Sequence, residues 1–151
     1  MTKLPIDILV VDDEKDFADM FSMRLKEEGH HVRVAYSGEQ ALQALSNEEE
    51  NTDVVVLDIK MPGMDGIEAL KHIKAKNPIV EIILLTGHGT IDTAVEGLRS
   101  GAFDYLLKPA DFIQLLSKLE KARKRKYEQE ERIRLAEAKA LGRRSGGLFL
   151  D

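Results

Sequence analysis

Val54-Val55-Val56-Leu57-Asp58, residues 54–58, runs four apolar side chains directly into one carboxylate. An apolar run without polar alternation reads as a strand buried on both faces, which belongs in the centre of a parallel sheet. Two other runs end in charge in the same way. Ile8-Leu9-Val10-Val11 leads into Asp12-Asp13, and Tyr105-Leu106-Leu107 leads into Lys108-Pro109. As neighbouring parallel strands, these segments would bring three carboxylates and one ammonium to a single sheet edge. Such an edge suits a divalent cation and a phosphoryl group.

Around this centre, the first 120 residues alternate short β-branched runs with amphipathic stretches, the pattern of an α/β fold whose parallel sheet is covered on both faces. Five strands are predicted: Ile6 to Val11, Val32 to Ala35, Val54 to Leu57, Ile82 to Leu85 and Tyr105 to Leu107. The first, third and fourth lack alternation and are expected in the middle of the sheet. Phe17, Met20, Phe21, Arg24 and Leu25 follow helical spacing before Gly29. Ser37 with Gln40 predicts a capping box that opens a second helix, with Ala41, Leu42 and Leu45 as its buried stripe. Ile67, Leu70 and Ile73 make a third stripe, and Ile91, Ala94, Val95 and Leu98 a fourth that ends at Gly101. Asp111 and Gln114 open a fifth helix with Phe112, Leu115, Leu116 and Leu119 on its core face.

A chain of 151 residues with 43% hydrophobic content supports one domain with some surplus. No apolar stretch approaches the roughly 18 residues that a membrane span needs, and the first residues lack a secretory pattern, so a cytoplasmic protein with no membrane partner is expected. Without cysteine, disulfides, thiolate catalysis and cysteine-ligated zinc are excluded. The net charge of −5 conceals a division: residues 1–120 hold 12 Lys+Arg and 22 Asp+Glu, whereas residues 121–151 hold 10 and 5. We therefore expect an acidic domain over residues 1–120, then a basic helical extension and flexible tail over residues 121–151. Continuing the heptad from Leu115 places Lys126 and Gln129 at seam positions, which argues against an autonomous coiled coil; the helix is expected to fray near Gly142.

Crowded carboxylates repel one another, and a hard dication removes the conflict. Magnesium takes oxygen ligands and typically one or two protein carboxylates. Asp13 and Asp58 suit direct ligation, Asp12 suits ligation through water, and the backbone carbonyl of Lys60 could add an oxygen. Of the three acids Asp58 stands alone on a central strand, the position of a nucleophile that forms an acyl phosphate. Lys108 would offset charge on the phosphoryl oxygens, the Thr86 hydroxyl would hydrogen-bond one of them, and Gly87 would leave room for approach.

Through these residues the chain resembles the receiver domain of two-component response regulators, over residues 5 to about 120. The resemblance rests on Asp12-Asp13, on Asp58 followed by Met61-Pro62-Gly63-Met64-Asp65-Gly66, on Thr86-Gly87, and on Gly101-Ala102 leading to Tyr105-Leu106-Leu107-Lys108-Pro109. It implies a flavodoxin-like, doubly wound sheet of strand order 2-1-3-4-5, a requirement for Mg2+, and a phosphohistidine donor on a sensor histidine kinase or phosphotransfer protein. It also implies a switch in which Thr86 moves toward the phosphoryl group and Tyr105 turns inward. That movement would reshape the face of the fourth helix, fifth strand and fifth helix for a downstream effector protein or a homodimer. A cis Lys108–Pro109 bond is implied as well. Lys60 and His88 flank the expected phosphoryl position and would tune its lifetime.

Each signal has a plainer alternative when taken alone. Asp12-Asp13 could favour a helix dipole, Lys108 could be a solvated lysine, and Tyr105 could be strand packing. The four histidines show no metal-ligand spacing and are expected in surface or packing roles. The basic run Lys121 to Lys126 is expected to be solvated, and nucleic acid is not expected as a partner. A Mg-dependent phosphatase with Asp58 as nucleophile would want an aspartate where Lys60 stands. An electron carrier of this fold would need a phosphate-binding loop where Asp12, Asp13 and Glu14 repel phosphate. The segment from Leu85 to Thr90 is similar to receivers attached to transcriptional activators, so an excised receiver is the closest alternative to a stand-alone regulator that assists its own phosphorylation and dephosphorylation.

Overall fold

The structure is a computed structural model that describes residues 4–87 and 90–144. Strands and helices alternate as β1 (Asp7–Val11), α1 (Lys15–Glu27), β2 (His31–Ala35), α2 (Gly38–Ser46), β3 (Val54–Leu57), α3 (Gly66–Lys76), β4 (Glu81–Thr86), α4 (Ile91–Arg99), β5 (Asp104–Leu107) and α5 (Phe112–Arg144). All pairings are parallel and the order is β2-β1-β3-β4-β5, as the resemblance implies. Register aligns Val11 with Leu57, Leu57 with Leu84, and Thr86 with Leu107, so the carboxyl ends of β1, β3, β4 and β5 form one edge.

Successive strand residues point to opposite faces. Leu9, Val11, Val55, Leu57, Ile82 and Leu84 meet Ala41, Ile67, Leu70 and Ile73 of α2 and α3. Ile8, Val10, Val54, Val56, Ile83 and Leu85 meet Ala18, Phe21 and Leu25 of α1 and Leu115 and Leu119 of α5. With β1, β3 and β4 buried from both sides, their continuous apolar runs are accounted for.

The helix starts follow the chemistry of their caps. Ser37 Oγ accepts from Gln40 N at 3.1 Å, while Gln40 Oε1 accepts from Tyr36 N at 2.9 Å, one residue before the cap that a capping box would use. Asp65 Oδ1 accepts from Glu68 N at 2.9 Å to start α3. Thr90 and Thr93 cap α4 reciprocally.

Two stripes differ from expectation. On α1 the buried residues are Ala18, Phe21, Ser22 and Leu25, and Met20 is exposed. On α4 only Gly97 is buried; Ile91, Val95 and Leu98 are exposed. A β-carbon at Gly97 would lie 2.3 Å from Leu84 Cδ1, so the helix meets the sheet through its glycine and its apolar stripe is rotated away.

Helix α5 crosses residue 120 without a break and continues through Gly142 to Arg144. Ala122, Arg123 and Lys126 lie beyond the compositional boundary yet are buried. Arg123 Nη1 donates to the carbonyls of Leu4 at 2.6 Å and Pro5 at 2.9 Å, and Arg125 Nε meets Glu81 at 3.0 Å. Lys126 Nζ bonds Asp53 Oδ1 at 2.9 Å with both groups almost fully enclosed. Of the basic run expected to be solvated, Lys121 and Lys124 are exposed, whereas Arg123 turns to carbonyls before β1 and Arg125 and Lys126 pair with carboxylates at the amino ends of β4 and β3. From Tyr127 onward the helix leaves the domain, and Tyr127, Ile133, Leu135 and Leu141 are exposed. The tail 145–151, expected to be flexible, lies outside the described residues.

Candidate functional site

Three strands deliver the acidic groups and the lysine to the common edge. Asp12 follows β1 and Asp58 follows β3; both are buried, with relative exposures of 2% and 3%, while Asp13 is more open. One oxygen from each of Asp12, Asp13 and Asp58 lies within 4.8 Å of the others. Oxygen-only donors at this spacing suit a hard dication such as Mg2+. Lys60 stands two residues after Asp58, exposed between the buried Ile59 and Met61, and the carbonyl expected to join the set belongs to that residue.

Asp58 Oδ1 accepts from the Ile59 amide at 2.9 Å, and the Thr86 hydroxyl hydrogen-bonds the same carboxylate. Thr86 itself is fully buried at the end of β4. Burial holds the Asp58 carboxyl above the ordinary carboxylate range and the Asp12 charge adds to this, against the lowering effects of Thr86, Lys108 and the Ile59 amide. A cation in the cluster would offset that repulsion.

Lys108 reaches back from the end of β5. Its Nζ bonds Asp12 Oδ2 at 2.6 Å and lies 3.9 Å from Glu14 Oε1. The Lys108–Pro109 peptide is cis. Below the ammonium is the ring of Phe17, with Nζ 4.0 Å from its centroid. The sequence placed Phe17 on a helical stripe; its contact with Lys108 joins α1 to β5, and chain spacing carries no signal of it.

Closure of the loop after Asp58 depends on Gly66. A β-carbon there would lie 2.1 Å from the Asp58 carbonyl oxygen and 2.6 Å from Ile59 Cα, while the Gly66 amide donates to the Ile59 carbonyl at 2.7 Å. No other residue fits without moving the backbone that carries Asp58. Gly87 has ordinary space, its nearest contacts being the Lys108 side chain.

Tyr105 packs partly buried against the core on the side of Leu84, and its hydroxyl is enclosed with no hydrogen-bond partner among the described residues. An unsatisfied buried hydroxyl is unusual. The structure thus brings Asp12, Asp13, Asp58, Thr86 and Lys108 together and places Tyr105 on the adjacent strand. His88 lies outside the described residues. Of the other histidines, His30 Nδ1 accepts from the Ile6 amide at 3.0 Å and His31 pairs with Asp7 at 2.9 Å.

Known proteins share this fold. The family model for the response regulator receiver domain matches residues 8–120. The transcriptional regulatory protein ZraR of Escherichia coli K12 is 45% identical over 122 residues, which cover 81% of this chain and 27% of that protein. The chain therefore spans about a quarter of the length of the curated relatives it matches. The NtrX structure from Brucella abortus superimposes with a TM-score of 0.78 at 36% identity, covering 87% of this chain and 30% of that one. A CheY-like receiver domain protein from Methanospirillum hungatei gives a TM-score of 0.77 at 28% identity, with 83% and 99% coverage.

Proposed function

The chain belongs to the response regulator receiver domain family, and from that membership we propose that Asp58 is the phosphoacceptor of a two-component pathway. The observation that carries the assignment is the position of Asp58, buried at the end of the central strand beside two further carboxylates and hydrogen-bonded by Thr86. In the transfer, an Asp58 oxygen forms a bond to phosphorus as the phosphorus–nitrogen bond of a phosphohistidine breaks. The donor imidazole leaves with the electron pair and takes a proton from solvent.

Asp13 and Asp58 would hold Mg2+ directly, Asp12 through water, and the Lys60 carbonyl would complete the protein's share. Bound there, the cation supplies charge neutralisation for the phosphoryl oxygens. Lys108 offsets charge on the same oxygens from the other side, and Thr86 turns its hydroxyl from Asp58 to the phosphoryl group. With Thr86 moved, Tyr105 occupies the space behind it, and the face of α4, β5 and α5 changes shape. Ile91, Val95, Leu98 and Leu107 are already exposed on these elements. A downstream effector protein or a second copy would read that face.

The donor partner is a sensor histidine kinase or phosphotransfer protein, and the receiver assists both its own phosphorylation and its own dephosphorylation. No helix among the described residues is long and apolar enough to cross a membrane, which is compatible with the cytoplasmic setting of this reading. Residues 1–120 carry the receiver and 121–151 its extension, the first turns of which, as far as Lys126, pack into the same folded unit. A receiver within a longer transcriptional regulator fits the same site, and the length of the curated relatives favours it.

The test is incubation with a small acyl phosphate donor and Mg2+, followed by intact mass spectrometry. One phosphoryl adduct is expected on the wild-type chain and none on Asp58→Asn. Full labelling of the variant would exclude Asp58 as acceptor, and sustained turnover of phosphomonoesters would favour a phosphatase.

A further inference from the structure

The Lys108 ammonium is bounded on one side by Asp12 and on another by an aromatic face, and only the carboxylate belongs to the charged cluster. Phe17 presents its ring to Nζ at 4.0 Å and stacks on Phe21 with centroids 5.5 Å apart and planes 14° apart. Phe21, which is buried, meets Phe112 edge-on at 6.2 Å and 90°, and the Arg24 guanidinium lies 4.0 Å over the Phe112 ring. Three aromatic rings thus link the site lysine to the first residue of α5.

A cation over a ring face is attracted by the ring quadrupole, and the attraction grows where water is excluded. Lys108 has a flexible four-carbon stem and three rotatable donors, so without such a surface its head would sample many positions. Its side chain is 16% exposed, so much of the water is already gone. Phe17 cannot wander either, because Phe21 backs it and Phe21 is packed in the core.

We propose that Phe17 is a positioning residue for Lys108, holding the ammonium beside Asp12 at the height where a phosphoryl oxygen on Asp58 would meet it. The assignment rests on the phosphoacceptor reading of Asp58. Phe17 makes no contact with the reacting atoms and acts through Lys108.

The test uses the full chain with a small acyl phosphate and Mg2+, comparing phosphorylation rates of Phe17→Leu, Phe17→Tyr and Lys108→Met and of the Leu and Met changes combined. Leucine keeps apolar bulk and removes the quadrupole, whereas tyrosine keeps the ring face. Phe17→Leu is expected to slow adduct formation about three- to tenfold, with Phe17→Tyr restoring the rate to within about twofold. In the Lys108→Met background Phe17→Leu should add nothing, because the two act as one unit. A wild-type rate in Phe17→Leu, or the same slowing with Lys108 already replaced, overturns the proposal. A second readout needs no variant: in the unmodified chain the Lys108 ε-methylene protons should be shifted upfield by the ring current, and an ordinary lysine shift contradicts the contact. Labelling that persists in Asp58→Asn would instead overturn the phosphoacceptor reading, a distinct result.

Discussion

At the scale of single residues, Asp58 is held in a state that the fold disfavours without a cation. Burial raises its proton affinity and the neighbouring Asp12 adds to this. A group whose folded value is raised contributes stability that is fully present below the unfolded value and lost as pH rises through the folded one. In chelator, the stability of the wild-type chain should therefore fall as pH rises from about 3.8 toward neutrality, through this group. Asp58→Asn keeps an acceptor for the Ile59 amide and removes the charge. Its melting temperature in chelator at neutral pH should exceed that of wild type, and added Mg2+ should raise the wild-type value more than the variant's. A variant that melts lower than wild type in chelator would mean that the Asp58 charge is satisfied in the folded protein. The acidic positions, Thr86 and Lys108 were legible because each ends an apolar run, and strand register then brings them together. Phe17 was not, since its partner lies 91 residues away in the chain and its spacing fits an ordinary core stripe.

At the scale of elements, α5 is held to the sheet by charge as well as by leucines. Removing one partner of a buried ion pair leaves the other uncompensated, at a cost of about 3 kcal/mol or more. Lys126→Met should lower unfolding free energy by about that amount in urea titrations, and adding Asp53→Asn should recover part of the loss. If Lys126→Met is neutral, the pair is not what seats the helix. The sequence could not show this, because a basic run on a helix looks the same whether its cations face water or a buried aspartate. Helix α4 fails in the opposite direction. Its stripe of Ile91, Val95 and Leu98 has the right period for a core face, yet Gly97 makes the close approach to Leu84. Periodicity identifies the element and its apolar face, while the depth of contact depends on which side is narrow enough to approach the sheet.

For the molecule as a whole, the location of the site follows from three charged strand ends and the two-sided core from unalternated apolar runs, whereas the strand order was implied by the family resemblance. The carboxyl edge of a parallel sheet gathers what its loops carry, and a doubly wound order leaves a crevice there. The amino edge is closed by Arg123, Arg125 and Lys126, so the folded unit includes the turns of α5 beyond residue 120. A chain ending at residue 130 should match the urea midpoint of the full chain, whereas one ending at residue 120 should lose the Lys126–Asp53 pair and unfold at markedly lower urea. Equal midpoints for the two truncations would place the boundary at the change of composition. At the carboxyl edge Asp58 is proposed to carry the signal. The most direct test is to phosphorylate the chain with Mg2+ and a small acyl phosphate, reduce the acyl phosphate with borohydride, and sequence the peptide by mass spectrometry. Homoserine at position 58, absent when Mg2+ is withheld, is the predicted result; an unmodified Asp58 with the phosphoryl group mapped elsewhere would contradict it.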